Sequence, residues 1–162
     1  MPITLIKTLG ELKRFRSIRW SHQATFQVQK KSIRRFVEIV VLNLGNQCIS
    51  RITFDEVIFE PKKLDSLFAQ NGIPINLMKT TKYLNDWTAE ACGASDINAL
   101  LEAALSEAID FVFQTTPSNF SLYADHDEYV TLFSKSSSGL KSIEQSLVGA
   151  KYDPVHGYHR TL

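Results

Sequence analysis

The sequence predicts an α+β fold, a mainly antiparallel sheet (a meander plus a C-terminal hairpin) packed by amphipathic helices. Three observations carry that prediction. Ile18, Trp20, His22, Ala24, Phe26 and Val28 alternate with polar residues, the two-residue period of a long half-buried strand. From Asp96 to Phe113, apolar residues Ile97, Leu100, Leu101, Ala104, Leu105, Ala108, Ile109, Val112 and Phe113 recur at helical spacing. Phe120 to Ala124 and Tyr129 to Ser134 are β-rich and flank Asp125-His126-Asp127-Glu128, so they read as a hairpin with an acidic tip.

Taken in chain order, Thr8 and Glu11 have capping-box spacing, and Leu12, Phe15 and Ile18 fall on one side of a helix from Leu9 to about Arg16. Polar Lys30-Lys31-Ser32 follows the first strand as a turn. Phe36 to Asn43 is rich in Val and Ile, which favour a pleated surface, and is read as a second strand, with a buried helix as the alternative. After the turn residues Gly45-Asn46-Gln47, Ile49 to Phe59 gives a third strand and completes a three-strand meander. Pro61 ends it and opens a helix over Lys62 to Gln70, whose Leu64, Leu67 and Phe68 share a face and which Asn71-Gly72 closes. Ile73 to Asp86 reads as loop, with a short element near Leu77 or Tyr83. Ser95 is the expected N-cap of the Asp96 helix. Ser136-Ser137-Ser138 offers caps for a last helix that turns Leu140, Ile143 and Leu147 inward and ends at Gly149. Residues 151–162 carry Pro154, Gly157 and two histidines without any period, and read as an irregular tail.

The 162 residues are 44% apolar and 22% charged, which excludes collagenous and disordered classes and fits one domain over 1–162. Such a chain buries roughly 70% of its extended surface, so it needs neither disulfide nor metal to fold. The first charges arrive too early for a secretory leader, and the longest apolar run is far short of the roughly 20 residues of a membrane helix. A cytoplasmic protein is expected. Two isolated cysteines, Cys48 and Cys92, agree with a reducing compartment, and their disulfide is the lesser alternative.

A net charge of +1 conceals an asymmetry. Residues 1–51 hold ten basic side chains against two acidic, a balance of +8, and the remainder holds eight against fifteen, or −7. A partner sees the local field within about 8 Å rather than the total. The ordinary expectation is that the basic and acidic segments fold against each other as solvated faces with rim ion pairs worth little individually. The sharper reading makes Lys13, Arg14, Arg16, Arg19, Lys30, Lys31, Arg34 and Arg35 a candidate basic face for phosphate or nucleic acid, with Trp20 and Phe26 as stacking rings if they point outward. The alternation places those two rings on the core side, which argues against stacking.

Asp125, His126, Asp127 and Glu128 form the densest titratable cluster. Clustered carboxylates beside a histidine suit general acid–base work or a divalent cation only if they converge. Adjacent turn residues diverge, so a solvated turn or a partner contact is the expectation, with a small metal-dependent hydrolase as the remote alternative. Asp153, His156 and His159 lack the helical His-Glu-x-x-His arrangement of a zinc site. His22 falls on the expected apolar face, and Cys92 beside Glu90 carries no nucleophile signature. The glycines are dispersed and make no phosphate loop. No catalytic residue, metal or cofactor is expected.

The run Ser118-Asn-Phe-Ser-Leu-Tyr-Ala-Asp-His-Asp-Glu-Tyr-Val-Thr-Leu-Phe-Ser134, with the helix from Leu140 to Leu147 after it, resembles the small cytoplasmic immunity proteins of bacterial contact-dependent growth inhibition systems. The resemblance implies an α+β protein that is not an enzyme. It implies a partner too, one cognate toxin domain, often a nuclease, whose active site the protein blocks. Toxin-facing surfaces in that family are typically acidic, and Asp125, Asp127 and Glu128 are the matching positions. The basic excess before Arg51 departs from that pattern and leaves nucleic-acid binding as the alternative.

Overall fold

The computed structural model describes residues 3–45, 49–56, 61–74 and 87–162. Seven strands, β1 (Thr4–Lys7), β2 (His22–Gln27), β3 (Ile49–Glu56), β4 (Trp87–Ala91), β5 (Asp110–Thr116), β6 (Phe120–Ala124) and β7 (Tyr129–Ser134), form one sheet in the order β1-β4-β3-β5-β6-β7-β2. Every pairing is antiparallel. The helices among the described residues are α1 (Glu11–Ser17), α2 (Ile33–Leu44), α3 (Lys62–Gln70), α4 (Ala94–Ser106) and α5 (Ser137–Gly149). The α+β class is as the sequence predicts. None of these helices is long and apolar enough to cross a membrane.

Register explains how the sheet is covered. Ile52 is paired with Ala89 on one side and Phe113 on the other, and Phe113 with Leu122, then Leu132 and Ala24. Those residues face one way. Against them lie Phe36, Val37 and Val40 of α2, Leu64 and Phe68 of α3, Leu100, Leu101 and Ala104 of α4, and Leu140, Ile143 and Leu147 of α5. The opposite face has a smaller apolar patch, in which Phe15 of α1 and Trp20 pack on Val112 and Phe133.

The 33–44 segment is a helix, not the predicted strand, and the three-strand meander of residues 18–59 does not form. Ile33, Phe36, Val37, Val40 and Val41 are all buried, at helical spacing, while Arg34 and Glu38 are exposed and bond across one turn at 3.3 Å. Propensity differences of a few tenths of a kcal/mol per residue lose to burial worth about 1.5–3 kcal/mol per large side chain. The true meander is β5–β6–β7.

The long helix predicted from Asp96 ends at Ser106, whose Oγ donates to Glu102 O at 2.7 Å, and Ala108 turns the chain at φ 51°. Phe111, Val112 and Phe113 then belong to β5. They are consecutive and all buried because β5 is covered on both faces, which removes the alternation that marks a strand. Gly93, not Ser95, stands at the helix start. Likewise Gly10 precedes α1, and Thr8 Oγ1 meets Thr88 Oγ1 at 2.5 Å instead of capping a helix.

The first strand is shorter than its alternation, starting at His22. Trp20 lies before it on the opposite face from Phe26, and His22 is exposed. β1 and β4 carry no strong strand signal and were not expected. α3, β6, β7 and α5 appear at their predicted bounds, with Ser136 Oγ accepting from Gly139 N at 3.3 Å. Asn46, Gln47, Cys48, Val57 to Glu60 and the element expected near Leu77 or Tyr83 lie outside the described residues.

The tail is irregular, as expected, and its first residues are anchored. Tyr152 is buried against Phe36, with ring centres 5.5 Å apart, and its hydroxyl donates to Ser32 O. Val155 N donates to Thr25 O at 2.8 Å, so the tail caps the outer edge of β2. Phe36→Ala removes a fully buried ring that serves both the sheet and this tail. It should lower stability by about 3–5 kcal/mol in denaturant unfolding, and a loss below about 1 kcal/mol would contradict the packing described.

Candidate docking surface

The strand alternation that sends Leu122, Leu132 and Val130 into the core sends Tyr123, Asp125, Tyr129 and Thr131 to the other face of the sheet. The tail crosses the β2 edge and lies across them. Arg160 Nη2 donates to Asp125 Oδ2 at 2.7 Å, its Nε donates to Thr131 Oγ1 at 2.9 Å, and its guanidinium sits 4.7 Å from the centre of the Tyr123 ring. Tyr158 stacks on Tyr129 with centres 6.1 Å apart. Gln23 holds the backbone of residue 160 from both sides of its amide: Oε1 accepts from Arg160 N at 2.8 Å and Nε2 donates to Arg160 O at 3.2 Å.

Tyr123 also connects to α1. Its hydroxyl donates to Asp55 Oδ2 at 3.1 Å, and Arg16 Nη2 donates to the same oxygen at 3.1 Å. Burial, then the negative charges of Asp55 and Asp110 and the bond to Asp55, push the phenol well above its usual range, so it remains a neutral donor.

The four residues of the predicted tip therefore divide. Asp125 faces inward, its side chain 17% exposed against Arg160 at 11%, and its Oδ1 accepts from Asp127 N at 3.0 Å and Tyr129 N at 3.4 Å, closing the turn. His126, Asp127 and Glu128 are exposed, and Glu128 holds a left-handed φ of 65°. His126 is fixed by Asp110, whose Oδ1 accepts from the His126 backbone N at 2.8 Å and from Nδ1 at 3.0 Å. Its Nε2 lies 3.6 Å from Asp127 Oδ1. A neutral imidazole donates from one nitrogen only, whereas the cation serves both carboxylates.

Each inward carboxylate is engaged by a cation or a donor: Asp125 by Arg160, Asp110 by His126, and Asp55 by Arg16 and Tyr123. Among the described residues, no group of three or more His, Cys, Asp and Glu is arranged to hold a metal ion. His159 is engaged by Gln23 at 3.2 Å, and His156 is exposed.

The basic residues do not share one face. Lys13, Arg14, Arg16 and Arg19 lie on or just after α1, on the face that Phe15 covers. Lys30, Lys31, Arg34 and Arg35 lie at the start of α2, whose apolar side covers the other face. Arg14, Arg16, Arg34 and Arg51 are already paired with Glu11, Asp55, Glu38 and Glu90. Lys31 and Arg35 line a cleft of about 350 Å³ with Lys151 and Asp153. Trp20 is half-buried against Phe15 and Phe133, and Phe26 is in the core.

Asp55, Asp110, Tyr123, Thr131, Gln23 and Arg160 escaped the sequence reading. Period-two alternation in the hairpin could have placed Tyr123, Asp125 and Thr131 together, but nothing local points to Arg160. Fold and surface together define an α+β protein with four helices on one face of an antiparallel sheet and, on the other, a short helix over an aromatic patch beside a polar clasp. Set against protein-family models, curated proteins and solved structures, the chain has no match.

The His126 bonds set the sign of a pH effect. The hydrogen bond and charge of Asp110, with smaller contributions from Asp127 and Asp125, raise the imidazole above its ordinary 6.5. The stabilisation is fully present below pH 6.5 and is lost as pH rises through the folded-state midpoint. An NMR titration should place that midpoint above 6.5, and Asp110→Asn should lower it. A midpoint unmoved by Asp110→Asn would deny the pairing.

Proposed function

We propose that this chain is a non-enzymatic protein-binding module that neutralises a cognate bacterial toxin domain, docking by the β6–β7 tip and covering the toxin's active site. The single observation that carries the reading is an exposed, preorganised anionic tip. Asp127, 69% exposed, and Glu128 project from a turn whose first two residues are fixed by Asp125 with Arg160 and by His126 with Asp110, and whose far end is held by Asp125 Oδ1 on Tyr129 N and by Val28 N on Glu128 O. A rigid charged tip steers an oppositely charged partner and loses little side-chain freedom on contact. At position 128 glycine would suit the left-handed backbone, which costs other residues about 1–2 kcal/mol, yet the chain carries a carboxylate there. The resemblance of residues 118–134 to immunity proteins supports the same reading, and a toxin that acts on nucleic acid would offer the basic surface required. The separation of the basic residues onto two sides of the sheet disfavours the nucleic-acid alternative.

The test uses the protein domain encoded by the reading frame immediately upstream. The unaltered chain should bind it and suppress its activity. Asp127→Lys with Glu128→Lys should weaken binding at least about tenfold, mainly through slower association, and should flatten its salt dependence. Unchanged affinity in that variant would remove the tip from the interface. Absence of any complex, or nucleic-acid binding that Arg14→Glu with Arg16→Glu abolishes, would replace the inhibitor reading.

A further inference from the structure

We propose that the recess formed by Tyr123, Asp125 and Thr131 is an arginine-binding site, which the chain fills with its own Arg160 and which an arginine of the protein partner enters by displacing the tail. The inference rests on the protein-binding reading above and names a second contact for it, on the sheet face behind the acidic tip.

The recess meets the chemical requirements of a guanidinium. A carboxylate oxygen accepts one N–H at 2.7 Å, a hydroxyl accepts the Nε–H at 2.9 Å, and an aromatic face lies 4.7 Å from the planar carbon. A lysine ammonium is a compact charge that matches neither the forked donors nor the stacking plane, so the arrangement selects arginine. Tyr123 and Thr131 stand paired on strands β6 and β7, and Asp125, besides its bond to Arg160, is held by its own bonds to Asp127 N and Tyr129 N. Asp55 and Asp110 add negative potential around the same phenol, countered by Arg16 and by Arg160 itself. If Arg160 leaves, Asp125 is left partly buried without its counter-charge, a costly state that another cation of the same shape relieves.

The occupant is the less firmly held partner. Between Val155, bonded to β2, and residue 160, held by Gln23, the residues His156, Gly157, Tyr158 and His159 are all exposed. A segment with few buried apolar contacts opens at low cost, so it can be exchanged without unfolding the sheet. Gln23 binds residue 160 through its backbone alone, so Arg160→Ala empties the recess without removing either of the two Gln23 bonds.

Full-length Arg160→Ala, with the recess vacated, is titrated with N-acetyl-argininamide and with N-acetyl-lysinamide while backbone NMR signals are followed. Saturable shifts at Tyr123, Asp125 and Thr131 with the arginine compound, at least about tenfold stronger than with the lysine compound, are expected. In the unaltered chain the tethered Arg160 competes, so the same shifts should need at least about tenfold more ligand and should be accompanied by release of the Tyr158 and His159 signals. If Arg160→Ala fails to fold, Gln23→Ala serves instead: it loosens the tail, leaves the recess intact, and should shift the displacement to lower ligand concentration than in the unaltered chain. A folded variant without saturable arginine binding, equal binding of lysine, or arginine binding to the unaltered chain without tail release would overturn the proposal. None of these measurements involves the toxin, so a negative result here leaves the tip-docking test standing, and the converse also holds.

Discussion

A sheet of seven strands has two faces to protect, and α2 to α5 cover only one. That constraint shapes the rest of the molecule. Phe111 and Phe113 are satisfied by the helices, but Val112 between them points away and needs a second cover. Phe15 and Trp20 supply it over the middle of the sheet, and the C-terminal segment supplies it nearer β2. The covers differ in kind: the first is an aromatic cluster with an ion pair at its rim, and the second is a polar clasp built around one guanidinium. Both covers meet at Tyr123: Arg16 of α1 reaches its hydroxyl through Asp55, and Arg160 of the tail lies over its ring.

The turn following β6 is braced from behind. Its first carboxylate is spent on the clasp and its histidine on Asp110, with Asp127 at the histidine's other nitrogen, and the Asp127 and Glu128 side chains stay exposed. A mobile loop with the same composition would have the same charge but would have to be ordered on contact. Here the turn is held by Asp110 and Arg160, 16 and 35 positions away in the chain, together with the local bonds of Asp125.

Legibility in the sequence followed the range of the forces involved. The hairpin, α3 and α5 were readable because turn residues, caps and periodicity act within a few positions. α2 was misread because its Val and Ile content suggested a strand, although Ile33 and Phe36 already set the helical period. β5 was misread because burial on both faces produces an apolar run that coincides with helical spacing. β4, as Trp-Thr-Ala-Glu-Ala, has little intrinsic strand preference and is held by its neighbours β1 and β3. Of the surface, the acidic tip was visible and its internal division was not, since Asp125 is set apart by an arginine 35 residues later. The basic excess was visible too, but only the folded sheet divides it between two sides.

The side-chain amide of Gln23 presents the same donor and acceptor that a peptide group in a neighbouring strand would present, and residue 160 is paired to it as though to an eighth strand. Such pairing reads main chain alone. The identity of the side chain at 160 is thereby uncoupled from the register of the segment that delivers it.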